Sequence, residues 1–193
     1  MKDELRQQLL VGSYKHVREF FESFTLPYAR DYLSSALKAA ESKQIWDKAA
    51  PADLLYFFES MDAQLSAIYS IVKEGSKIKK VILPKSPDTC DLTRYHLYCG
   101  RYDQLKSWDY FPRNLSAKEY RDPYKALQNF TSWAPKKEWK EYLKYVLDYA
   151  LGKSSLSELG IHLEMVSIAE HLHKMLQASH LIYVRTAVQT SEI

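Results

Sequence analysis

Apolar positions recur at helical spacing along most of the chain. Leu10, Val17, Phe21 and Phe24 stand at i, i+7, i+11 and i+14, which lines one face of a helix. Ala29, Leu33, Ala36, Leu37 and Ala40 repeat the pattern. Over 51–74, a wide stripe carries Leu54, Phe57, Phe58, Met61, Leu65, Ile68 and Val72. The opposite side holds Glu59, Asp62, Ala63, Ser66, Ala67 and Ser70, a set that suits either a closely packed neighbour or water. Over 136–151, Trp139, Leu143, Val146 and Ala150 share a face. The last helix, predicted over 157–188, has Met165, Ile168, Leu172, Leu176 and Tyr183 as its stripe.

Prolines agree with these boundaries. Pro27, Pro51, Pro87, Pro123 and Pro135 each open an amphipathic run, where a missing N–H costs nothing. Ser86 and Asp122 precede two of them as expected N-caps. Gly75, Gly100 and Gly152 follow three runs as expected C-terminal caps.

Two stretches break the pattern. Residues 78–83 (IKKVIL) show no partner strand and read as a connector. Residues 101–122 read as a long irregular loop, interrupted only by Ser116-Ala117-Lys118-Glu119, a capping-box pattern for a short helix. A loop of about 20 residues in a compact domain is either functional or anchored by its own side chains.

Composition narrows the class. Hydrophobic residues are 46% and charged residues 26%, which excludes a disordered chain. Five glycines are too few for the many turns of a sandwich or barrel. The longest charge-free apolar runs, such as 63–72, are about half of the roughly 18 residues a membrane span needs, so no membrane association is expected. The N-terminus has no signal-peptide core, and the chain is expected in the cytoplasm. Cys90 and Cys99, if on one helix, are roughly 13 Å apart along its axis, too far for a disulfide, and are expected as free thiols.

Charge is unevenly distributed. Residues 1–74 carry a net −2, residues 75–144 a net +7 and residues 145–193 a net −2. The basic part is also aromatic: 13 of the 26 aromatic residues lie in 94–145, with Arg94, Arg101, Lys106, Arg113, Lys118, Arg121 and Lys125 between them. Tyr, Trp and Arg together are typical of protein interfaces. Rings between cations also suit single-stranded nucleic acid, where bases stack while the backbone follows the charge. The plainer account is a loop pinned by its rings, with cations solvating its outside. Trp108, Tyr110, Phe111, Arg113 and Arg121 are the candidate binding residues.

Other chemistries find little support. His162, His173 and His180 lie within about 20° on one helix, at the edge of its stripe, yet successive pairs are separated by roughly 16 and 10 Å in rise, beyond the reach of one metal ion. Glu170 and His173 form one E-x-x-H, but a di-iron bundle site needs two, with further carboxylates such as Glu59 or Asp62. Nucleotide-binding glycine loops and the nucleophile elbow are absent. No metal, cofactor or catalytic residue is assigned. The expectation is an all-α chain, a single bundle-like helical domain over 1–193 of about six main helices. Its terminal helices pack together and the aromatic loop lies across one end. Its expected function is non-catalytic protein–protein interaction, including self-association, through that loop. Nucleic-acid binding by the same segment is the second reading, and an enzyme with a site assembled from distant residues the third.

Overall fold

The computed structural model describes residues 2–42, 44–75, 109–152, 154–155 and 164–189, and over these residues it is all-α. Seven helices and no strand occur among the described residues: α1 (Lys2–Ser23), α2 (Leu26–Glu41), α3 (Pro51–Gly75), α4 (Ala117–Arg121), α5 (Pro123–Trp133), α6 (Lys136–Leu151) and α7 (Met165–Gln189). Six are long, and α4 is the short helix of the capping-box pattern. None is long and apolar enough to cross a membrane. The connector at 78–83, both cysteines, Ser86, Pro87, Gly100, Trp108 and His162 lie outside the described residues, as do 101–107 of the loop and the expected start of the last helix at 157.

Local chemistry accounts for the helix ends. Thr25 caps α2, its hydroxyl accepting from Tyr28 N, with Pro27 in the first turn. Ser116 and Glu119 form the full capping box of α4: the Ser116 N–H donates to Glu119 Oε2 at 2.9 Å, and the Glu119 N–H donates to Ser116 Oγ at 3.3 Å. Asp122 occupies the N-cap of α5 but makes no side-chain capping bond. Pro135 is itself the N-cap of α6. Gly152 stands at the C-cap of α6 with φ −90°, a conformation open to any residue, so it does not form the left-handed cap expected of it.

The apolar faces meet in one contiguous core drawn from every long helix. Phe20 of α1 and Phe24, the residue after α1, pack on Phe57 of α3, their ring centroids 6.1 and 5.3 Å from its own. All five predicted apolar positions of α2 are buried, and the small side chains Ala29, Ala36, Ala39 and Ala40 let α6 and α7 come close. Trp46, between α2 and α3, is buried with its Nε1 donating to Ser35 Oγ at 2.8 Å. The face of α3 left open by the sequence divides: Ala67 is buried, Asp62 meets Lys140 of α6 at 2.6 Å, and Glu59 and Ala63 are exposed.

Helix α7 differs most from its predicted stripe. Residues 175–182 are buried without a break, including Gln177, Ser179 and His180. A helix covered on all sides needs its polar groups satisfied by neighbours. The reason is position: α7 packs against α1, α2, α4 and α5 together, with the expected contact between the terminal helices at Phe21, His180 and Tyr183.

Candidate binding site

The described end of the aromatic segment is fastened by side chains from elsewhere in the chain. Arg30 of α2 donates from Nη1 to the Asp109 carbonyl at 2.6 Å and from Nη2 to the Phe111 carbonyl at 2.7 Å. Gln177 of α7 accepts from the Asn114 N–H at 2.9 Å and donates back to Asn114 Oδ1. Arg185 of α7 is 1% exposed and donates to the Tyr120 carbonyl at 2.7 Å and the Arg121 carbonyl at 3.4 Å. These two carbonyls belong to the last turn of α4, where no helical partner exists. Two guanidiniums, that of Arg185 buried and that of Arg30 half-buried, therefore hold the backbone of the segment whose own arginines face outward.

The predicted site residues separate accordingly. Trp108 lies outside the described residues. Tyr110 is buried, its ring 5.7 Å from that of His180, so it anchors the segment instead of presenting a surface. Phe111 is half-buried against the core. Arg113 is exposed and pairs with Asp109 at 3.6 Å, and Arg121 is exposed. From 109 to 125 no ring is exposed, since Tyr120 and Tyr124 are also half-buried. Over these residues the outer face shows cations without the ring faces that base stacking requires.

Nor do the titratable groups converge. His180 is enclosed by Phe21, Tyr110 and Tyr183, and burial, with Arg30 nearby, pushes its pKa down to about 3. It therefore sits inside the core, not at the edge where its stripe placed it. His173 meets Ser34 Oγ at 3.1 Å, and burial, again with Arg30, lowers its pKa to about 4. A hydroxyl beside an imidazole resembles a nucleophile–base pair, but so weak a base is poorly matched to neutral pH, and among the described residues no carboxylate orients the ring. Glu170 pairs with Lys174 at 2.8 Å, and among the described residues no group of three His, Cys, Asp or Glu side chains could hold a metal ion.

A concave surface lies elsewhere, where α1, the start of α2 and the first half of α3 meet. It has two lobes of about 440 and 380 Å³ that share Ser23 and Tyr56. The larger runs between α1 and α3, from His16 and Glu19 past Phe20 to Ser60 and Ala63. The smaller is walled by Phe24, Tyr28, Tyr32 and Tyr56, with Asp53 beside them. Core residues Phe20, Phe24 and Tyr32 form the floor, while Tyr28 and Tyr56 are 46% and 54% exposed. Their hydroxyls stay in the groove: Tyr28 donates to the Tyr32 hydroxyl, and Ser23 Oγ lies 3.4 Å from Tyr56 Oη. Burial, the Tyr28 hydroxyl and the nearby Asp53 and Asp31 hold the Tyr32 pKa well above its ordinary value.

None of these groove residues was a candidate binding residue from the sequence, which placed Phe24 and Ala63 only on helix faces. Phe24, Tyr28 and Tyr32 recur at i, i+4 and i+8, a helical row of rings, but Asp53 and Tyr56 reach them only through the packing of α3 on α1. Compared with known proteins, the chain matches no family model, no curated protein and no solved structure.

Proposed function

We propose that this protein is a non-catalytic helical module that binds another protein, and that the groove between α1, α2 and α3 is its docking surface. The observation that carries the reading is the pair of exposed rings, Tyr28 and Tyr56, standing over a floor of buried Phe20, Phe24 and Tyr32. Exposed tyrosines on a rigid helical frame give a large amphipathic contact area at small entropic cost. The joined lobes form a track, which suits an extended segment of a partner better than a compact molecule. Asp53 on the track, which has no ion-pair partner among the described residues, favours a basic segment. The outward cation Arg121 adds a rim contact that sets association rate more than affinity.

The test is site-specific cross-linking in cells of origin. A photoreactive amino acid at position 60 or 63, inside the larger lobe, is compared with one at position 145 on the exposed part of α6. The reading expects one partner segment attached from both groove positions, none from 145, and loss of that product on Tyr56→Ala in a chain that still melts normally. If the attached segment belongs to a second copy, the partner is the protein itself. Products equal at all three positions, or unaffected by Tyr56→Ala, would overturn the docking surface. Nucleic acid captured by Arg113 and Arg121, weakening steeply with salt, would replace it with the second reading.

A further inference from the structure

The smaller lobe of the groove is built for a positive charge. Tyr28 and Tyr56 flank Phe24, whose ring centroid lies 6.3 Å from that of Tyr28 and 5.6 Å from that of Tyr56. Aromatic faces are electron-rich and attract a cation laid over them. Asp53 stands at the edge of this box, exposed, with Oδ2 accepting from the Ala50 N–H at 3.2 Å. Other carboxylates of the groove already have cations: Glu19 meets Lys15, and Glu22 meets Arg18. Asp53 meets none among the described residues. An anion entering here would face its charge, and a purely apolar side chain would desolvate a carboxylate and hydroxyls without compensation.

Resting on the docking reading above, we infer that the partner segment presents a lysine or arginine whose cationic head lies over the Tyr28 and Tyr56 rings and points at Asp53. A lobe of about 380 Å³ is near the lower limit for ligand sites and takes one long side chain. The adjoining lobe takes the backbone that leads to it. A guanidinium is the better fit, being planar, weakly hydrated and able to stack on a ring while its edge donates to the carboxylate.

The experiment is an NMR titration of the full chain with a tetra-arginine peptide, a tetra-glutamate peptide and tetramethylammonium. The inference expects tetra-arginine to shift the Tyr28 and Tyr56 ring signals and tetra-glutamate to leave them unmoved. Asp53→Asn, which keeps an acceptor for Ala50, and Tyr56→Ala should each weaken the peptide roughly twofold to thirtyfold. Asp148→Asn, an equal charge change on α6, should leave it unchanged. Ring signals that stay still, or an equal loss in Asp148→Asn, would overturn the inference. So would tetramethylammonium binding as tightly as the peptide, which would assign the lobe to a small amine. The cross-link from position 63 distinguishes the cation site from the docking surface. Its persistence at full yield in Asp53→Asn removes the cation assignment and leaves the docking surface standing. Its absence in the unmodified chain, with tetra-arginine still bound, removes the docking surface alone.

Discussion

Arg185 lies with its guanidinium carbon 5.0 Å above the centre of the Tyr120 ring while donating to the Tyr120 carbonyl. One residue thus receives the cation on its ring face and its main chain together. Burial lowers the Arg185 pKa and Tyr120 opposes that fall, so the charge is kept inside the protein by the segment it holds. Arg185→Met should cost about 2–4 kcal/mol, because the carbonyls ending α4 lose charge-assisted partners in a buried site. Arg185→Lys should recover only part, since one ammonium cannot reproduce the planar fork. Denaturant unfolding measures both, and hydrogen exchange should rise first over 117–121.

Tyr110 and Arg113 should behave as opposites although three residues separate them. Tyr110→Ala removes a buried ring from beside His180 and should cost about 3 kcal/mol. Arg113→Ala, at an exposed pair, should stay within about 0.5 kcal/mol of the parent. Equal losses in thermal melts would contradict the inward placement of the segment.

Acid should weaken the fold before its carboxylates titrate. An imidazole whose folded pKa is depressed stabilises the protein above its unfolded value of 6.5, and that stability is lost as the pH falls toward the folded value. With a folded value of about 3, His180 should account for about 2 kcal/mol between pH 7 and pH 5. His173, with a folded value of about 4, adds a loss of similar size in the same direction over this interval. His180→Phe fills the same ring cluster without a titrating group, so it should flatten the stability profile over that interval.

Gln64 is fully buried in α3, and neither its Nε2 nor its Oε1 has a partner among the described residues. Gln64→Met keeps the shape and removes the desolvated amide, so unfolding free energy should rise by about 1–2 kcal/mol. A fall would mean that the amide has a partner in solution, such as an ordered water.

Gly12 sits inside α1, and a Cβ added there meets nothing within 4 Å. Gly12→Ala should stabilise the helix by about 0.5–1 kcal/mol, raising the melting temperature by about 1–4 °C.

Helix existence, type and inward face were legible from spacing alone. The five apolar positions of α2 and the four of α6 all proved buried, because a 3.6-residue period admits one continuous core-facing stripe. The capping box of α4 was equally legible, since both hydrogen bonds lie within four residues. Tertiary packing decided the rest. Whether Tyr110 and Arg113 turned inward or outward depended on Arg30 and on α7, 79 or more residues and some 60 residues away. The immersion of residues 175–182 of α7 on every side, which placed His180 in the core, came from the four helices packed round it. The groove depended on α3 bringing Tyr56 and Asp53 to the rings of Phe24, Tyr28 and Tyr32. Local periodicity encodes which face of an element is apolar. It does not encode which other element covers that face, and both the fastened segment and the groove are relationships between elements.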